Sequence, residues 1–405
     1  MPTNTKSETE SVRQIANELI LACSDTGTTV ARRSEIRRLA AECGDWDYVL
    51  QACRDHLVSS LVCHTLEAVA SDLVPAATLK VLHDRFRANA CRNLFLTQEL
   101  LQLVLKFRKN GVEVIPFKGP LLAITAYGNV ALRQFGDLDI LVQKDNFHRT
   151  RTLLSGWGYR SPVGGAVGVE EDYLKSQLGA DHIREDGLVA LELHWSFIQT
   201  WLGFNVDLKT VWAASRTVSV GSVPVLNLPA DITLLYLCAH GAKHRWNRLC
   251  WVADVAKVLL RYPELDWEAL LAQAASYGCL RTLFIGLKLA QTLLGASIPD
   301  HVVVRFAKDK QAVLLAKALG DGMFDPDKDF IRGQLGWKRD WFNIRAKERW
   351  REKLIYLSQL SVWVCKPSEK DRAWVTLPPG LKWLYFFIRP IRVACQYRQT
   401  TIDAL

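Results

Sequence analysis

The chain has 405 residues, 49% of them hydrophobic, with 51 Lys and Arg against 42 Asp and Glu for a formal net charge of +9. That length holds two or three domains, or one domain with helical additions, and a large core. The basic balance points to an acidic partner: nucleic acid, a nucleotide or an anionic membrane surface. The ten cysteines include no CxxC pair and lie largely in apolar helical stretches, which argues against a disulfide framework or a zinc site and for reduced core thiols in a cytoplasmic protein. The polar N-terminus lacks a signal-peptide layout, and no apolar run is long enough to span a membrane.

Residues 1–110 read as an N-terminal helical region, its apolar positions three and four apart. It closes on a long amphipathic helix from about residue 77 that stops at Gly111. At 111–205 the period changes. "VEVIPF" (112–117) is β-branched and suits a buried strand, and Lys118-Gly119-Pro120 is a tight turn into a helix, "PLLAITAY". "DLDILV" (137–142) is the next strand, followed by a helix, a loop with Gly164, Gly165 and Gly168, and a third strand, "LVALELHWSF" (188–197). After Pro229 the pattern is helical nearly to the end, so 206–405 reads as a mainly helical C-terminal region. The expected class is α+β: a small mixed sheet between helical N-terminal and C-terminal regions.

The chemistry concentrates in the strands. Residues i and i+2 of a strand share a face, so Asp137 and Asp139 project together while Leu138 and Ile140 turn away. Two adjacent carboxylates repel unless a cation lies between them. Hard divalent ions such as Mg²⁺ or Mn²⁺ take such oxygens together with substrate phosphates, the arrangement of metal-assisted phosphoryl or nucleotidyl transfer. Glu192 and His194 share a face of the third strand, and if it lies beside 137–142, Glu192 completes a three-carboxylate cluster. The plainer alternative is that Asp137 ends a turn and Asp139 faces solvent.

Lys118 and Gly119 sit where a strand feeds a helix, where free N–H groups and an ammonium attract anions. Arg133 could grip phosphate oxygens in bidentate fashion. Each also has an ordinary reading, as a strand-to-helix turn and a surface charge. His240 and His244, four apart beside Lys243, fit a basic face closing over a nucleotide, or simple packing. Zinc there lacks a third ligand of fitting spacing. Asp254 is expected to pair with a base such as Arg248, and His182 to be a solvated loop histidine. In 336–357 Trp alternates with Arg and Lys, which suits RNA or a solvated helix with Trp on its core face, the second being preferred. The aromatic and basic run 381–397 suits a closing packed segment over membrane contact. No G-x-S-x-G and no reactive Cys–His setting points to nucleophilic catalysis.

The order K-G, R-x-x-x-D-h-D-h-h-V, h-E-h-H-W resembles the uncharacterised nucleotidyltransferase family of bacteria, in the polymerase-β-like superfamily. "LLYLCAHGAKHRWNRLCWVADVAKVLL" is similar to that family's helical segment, and the resemblance spans roughly residues 40–265. It implies a mixed sheet with helices on one face, metal ligation by Asp137 and Asp139, and Glu192 at the third acidic position. Lys118-Gly119 stands where the wider superfamily has Gly-Gly or Gly-Ser. The implied activity is transfer of NMP from an NTP to an acceptor hydroxyl, with release of pyrophosphate. Asp137, Asp139 and Glu192 hold the metal, and Lys118, Gly119, Arg133, His194, His240, Lys243 and His244 face the nucleotide. The acceptor is open: a small molecule, a sugar, a protein or RNA. A silent nucleotide-binding module and a γ-phosphate-transferring kinase are the alternatives.

Overall fold

The computed structural model describes residues 3–25, 29–161, 179–197, 206–325, 337–365, 371 and 374–392. The Gly164–Gly168 loop and residues 393–397 lie outside these. The first four helices are α1 (Thr3–Ser24), α2 (Val30–Glu42), α3 (Trp46–Asp55) and α4 (Ser59–Ala70). Two carry side-chain caps: Thr29 accepts from Arg32 N–H and Asp45 from Tyr48 N–H, each satisfying a first-turn donor that has no partner within its helix. α5 (Ala76–Lys109) is 34 residues long. Lys106, Arg108 and Lys109 in its last turn oppose the negative end of the dipole. The chain then leaves through Gly111 at φ +67°, a left-handed position suited to glycine.

The sheet follows. β1 (Val114–Pro116) leads through α6 (Gly119–Thr125) to β2 (Asp137–Val142), α7 (Phe147–Gly156), β3 (Tyr159–Arg160), β4 (Gly179–Arg184) and β5 (Ala190–His194). The spatial order is β1-β2-β5-β4-β3, with β2 and β5 parallel and the other pairs antiparallel. β4 and β3 extend the sheet beyond the three strands expected. Leu138, Ile140 and Val142 are fully buried against Leu96, Leu100 and Leu103 of α5. Each such side chain contributes roughly 1.5–3 kcal/mol of burial. The opposite face carries Asp137, Asp139 and Leu141.

A hairpin, β6 (Arg216–Val220) and β7 (Val223–Asn227), follows α8 (Leu208–Ala214). Next come α9 (Ala230–Lys243), α10 (Leu249–Arg261), α11 (Trp267–Tyr277), α12 (Leu280–Leu294), α13 (Asp300–Ala307), α14 (Lys310–Asp321), α15 (Trp337–Ala346) and α16 (Trp350–Cys365). The protein is thus a mixed α+β fold with helical regions on either side of the sheet. Ile115, Phe117 and Leu141 join one apolar core with α1–α4 and α9–α14, so helices wall both faces of the sheet rather than one.

Two surface readings change. Trp341 and Trp350 stand 42% and 66% exposed rather than on a core face, and Arg345 lies 3.9 Å over the Trp341 ring. In the 381–392 stretch Tyr385, Arg389 and Arg392 turn inward, the arginines onto buried Asp371, while Trp383, Phe386, Phe387 and Ile391 are exposed. The eight cysteines whose side chains are described are free thiols, all buried except Cys91. Among the described residues no helix is long and apolar enough to cross a membrane.

Candidate active site

Three side chains of α5 hold the approach to β2. Asn93, fully buried, donates to the carbonyls of Val130 and Arg133 at 2.6 and 2.7 Å. Asn89 donates to Ala131 O at 2.8 Å and Arg92 to Gly136 O at 3.3 Å. These bonds satisfy the loop carbonyls and fix the residue entering β2. On the other side of Asp137 lies Gly119, at φ +51°. A Cβ there would meet the Asp137 carbonyl oxygen at 3.1 Å, so the turn needs glycine both for its dihedral and for the close approach.

The register places the carboxylates in one row. Asp139 is opposite Glu192 across the parallel pair, and Glu192 is opposite Asp181 across the antiparallel one. Cross-strand partners share a face and stand about 5 Å apart at Cβ. Asp137, two residues before Asp139, lies on the same face. The row grades outward: Asp139 is buried, Glu192 half-buried, and Asp137 and Asp181 are exposed.

Protein cations meet the buried end. Lys118 Nζ lies 2.8 Å from Asp139 Oδ1. His194 Nε2 lies 3.2 Å from Asp139 Oδ1 and 3.3 Å from Glu192 Oε2. Burial alone would raise the Asp139 pKa, but the Lys118 ammonium and His194 hold it well below the usual carboxylate range. Burial likewise opposes the charge on Lys118 and His194, and their carboxylate partners raise both pKa values nonetheless. Burial would raise Glu192 as well, but the hydrogen bond and charge of His194, with the Lys118 charge, together lower it. Asp137 is raised, first by desolvation and then by the Asp139 charge. The pKa values of carboxylates on one face are therefore pushed in opposite directions, a feature of sites that handle protons or cations.

An aromatic wall from α9 covers the lysine. Its Nζ lies 5.6 Å from the Tyr236 ring centroid and 5.8 Å from that of Phe117. Phe117 also meets His194 edge-on at 5.0 Å. From Tyr236 the ring contacts run through His240 and His244, 4.7 Å apart, to Trp251. Burial, with the nearby lysine charges, depresses the His240 pKa strongly and that of His244 to about 4. Both imidazoles are neutral at pH 7, so the basic character of this face rests on exposed Lys243 rather than on the histidines. Neither histidine belongs to a three-donor group among the described residues.

Arg133 is placed differently from the sequence expectation. Its Nε and Nη2 donate to Asp254 at 2.7 and 2.9 Å, and Tyr127 Oη donates to the same carboxylate at 2.7 Å. Asp254 is thus paired with Arg133, not Arg248. The fork that would have gripped phosphate is engaged in tying the loop before β2 to α10. His182 is buried on the opposite face of β4, its Nδ1 2.9 Å from Ala180 O, and does not reach the carboxylate row.

The structure adds Asp181 and Tyr236 to the residues read from sequence, and gives His194 a double carboxylate contact. Asp181 was legible only once β4 was known to pair with β5. Donor atoms of Asp139, Glu192 and His194 all lie within 4.8 Å of one another. His194 Nδ1 is buried with no hydrogen-bond partner, and a Cβ on Gly179 would come within 3.1 Å of it. Two carboxylates and an imidazole make a donor set that suits a divalent cation.

The sequence profile of a family described as "uncharacterised nucleotidyltransferase" matches residues 42–295, more than half of the chain. The chain belongs to that family. The matched span runs from α2 to α12 and includes every residue of the carboxylate row and the aromatic wall. No curated protein and no solved structure matches. Family membership supports nucleotide transfer as the general activity, and the row of carboxylates is where this chain carries chemistry suited to it.

Proposed function

We propose that the protein transfers NMP from an NTP to an acceptor hydroxyl and releases pyrophosphate, as a divalent-metal-dependent nucleotidyltransferase of the polymerase-β-like kind. The observation that carries this reading is the cross-strand pair Asp139–Glu192, with Asp137 on the same face at the open end of β2. Asp137, Asp139 and Glu192 are the residues to hold Mg²⁺ or Mn²⁺, with His194 Nε2 within reach of the last two. When bound, such an ion neutralises phosphate charge and polarises the phosphorus under attack.

The chain's own groups supply the remainder. Lys118 keeps Asp139 ionised and adds a positive charge beneath the nucleotide phosphates. Gly119 lets the chain pass close to Asp137. Glu192 takes the acceptor proton. Lys243 stands at the rim for the triphosphate, and the neutral rings of His240 and His244 are surfaces for stacking rather than charges.

Incubation with NTP labelled at the α- or the γ-phosphate, in the presence of cell extract, tests the reading. The expected outcome is α-label on the acceptor and γ-label in pyrophosphate, lost entirely in Asp137→Asn. Transfer of the γ-label to the acceptor would instead make the protein a kinase. Nucleotide binding with no label moved would make it a silent binding module.

A further inference from the structure

A second group of metal-ligating side chains lies away from the sheet, in the helical hairpin of α4 and α5. Cys63 and Glu67 are one helical turn apart on α4, and so share a face. His83 stands opposite on α5, with Nε2 3.4 Å from Glu67 Oε1. The thiol, carboxylate and imidazole donor atoms all lie within 4.8 Å of one another. Cys63 is 1% exposed, while Glu67 opens to solvent. His83 Nε2 is itself buried, and its contact with Glu67 lacks hydrogen-bond geometry. A buried ring nitrogen left in that state is unfavourable unless something takes its lone pair or its proton.

We propose that Cys63, Glu67 and His83 form a zinc site, with the thiolate, one carboxylate oxygen and Nε2 as protein ligands and water in the fourth position. The donor types decide the metal. Thiolate with imidazole selects zinc over magnesium or calcium, which take oxygen. Bond lengths of about 2.0–2.3 Å require the three donors to close up by roughly an ångström. The exposed Glu67 side chain and the partly exposed His83 ring have room to do this, while Cys63 is the fixed point. Binding breaks the Cys63 S–H bond, the sulfur pair goes to the metal and the proton leaves to solvent. Burial and the Glu67 charge push that thiol up to about 11, so the metal-free site holds a neutral thiol.

The placement gives the ion a structural role. Asn89, Arg92 and Asn93 of α5, which hold the loop into β2, begin six residues past His83, about 9 Å along the helix. A metal joining α4 to α5 clamps the platform on which Asp137 is positioned. The site shares no ligand with the carboxylate row and stands or falls independently of the nucleotidyltransferase reading.

The test is a Co²⁺ titration of the full chain, reduced and stripped of metal with chelator. With excess Mg²⁺ present to fill the carboxylate row, the expected result is a thiolate-to-cobalt charge-transfer band that saturates at one equivalent and is bleached by Zn²⁺. Asp139, Glu192 and His194 include no thiol and cannot produce it. Cys63→Ser removes the band and Cys91→Ser leaves it unchanged. Glu67→Gln, a surface change that leaves folding intact, weakens Co²⁺ binding beyond the ~10–100-fold typical of losing an outer-shell partner. Zn²⁺ also slows hydrogen exchange in residues 83–93. Absence of the band, its survival in Cys63→Ser, or unchanged affinity in Glu67→Gln overturns the proposal.

Discussion

Lys118 Nζ and Asp139 Oδ1 stand 2.8 Å apart, the lysine side chain 11% and the aspartate 1% exposed. The pair joins the turn after β1 to the middle of β2. A lysine read from sequence as a phosphate ligand is, in the folded protein, first the counter-ion of a carboxylate. Removing one member of a buried pair leaves the other charged and unpaired, which costs about 3–5 kcal/mol. Lys118→Met leaves Asp139 with His194 alone and is expected to lose stability up to that order in urea denaturation without metal, and Mn²⁺ is expected to return part of it by supplying the missing positive charge. A loss that Mn²⁺ leaves untouched would show that no cation reaches Asp139.

The protonation pattern predicts a pH dependence. His194 has a raised pKa in the fold, so its contribution is fully present below its ordinary value near ~6.5 and is lost as the pH rises through the raised one. Asp139 and Glu192 have lowered values, so their contribution is present above the ordinary carboxylate range and lost as the pH falls. Asp137, raised, works in the opposite sense across that acid range. The difference in unfolding free energy between wild type and His194→Gln is therefore expected to shrink from pH 6 to pH 9 in chelator. A difference that stays constant or grows over that interval would remove the imidazolium from the account.

Much of this was legible in the chain because polar residues interrupted apolar alternation. "DLDILV" and "LELHW" each place acidic residues on one face of an otherwise buried strand, and the period of two needs no structure to be read. Asp181 escaped because "GADHIR" is a short, glycine-led strand whose polar residues fall on both faces, and its importance depends on a register that only pairing reveals. Lys118 advertised an anion partner without saying which anion, since a carboxylate and a phosphate attract the same ammonium. Arg133 and Asp254 are 121 residues apart, and nothing local to either marks the other. The exposure of Trp341 and Trp350 was misjudged because amphipathic spacing locates a stripe but not the element that covers it.

The Arg133–Asp254 pair is a tether, and its removal has a distinct signature. It is bidentate, nearly sealed, and shares Asp254 with Tyr127. Asp254→Ala is expected to cost about 3–5 kcal/mol, leaving the guanidinium buried without its partner. In a double-mutant cycle with Arg133→Met the two losses are expected to be strongly non-additive, with an interaction energy within the ~0.5–3 kcal/mol range of contacting residues. Additive losses would mean that the two side chains stabilise the fold separately.

Gly241 tests how the far end of α9 is set. Arg245 and Trp246 both have positive φ, at 53° and 51°, and the buried Trp246 ring lies where a Cβ on Gly241 would come within 2.6 Å. The ring fills the space the glycine leaves and fixes the turn that follows His244. Gly241→Ala forces the indole out of a packed core, a change expected to cost ~1–3 kcal/mol. Tryptophan fluorescence should shift toward that of an exposed indole. An unchanged emission maximum with unchanged stability would show that the core gives way without moving Trp246.

Asp181 separates a chemical role from a structural one. It is exposed and stands beside Glu192 in the carboxylate row. Exposed substitutions ordinarily stay within about 0.5 kcal/mol, so Asp181→Asn should leave the melting temperature in place. If its carboxylate shares the acceptor proton with Glu192, kcat falls by about 10²-fold, the lower end of what a positioned acid or base contributes, while the KM for NTP holds. If it only adds negative charge to the metal's surroundings, the apparent metal affinity falls and excess Mn²⁺ restores kcat. Full activity at limiting metal would remove Asp181 from the site and leave the chemistry to Asp137, Asp139 and Glu192.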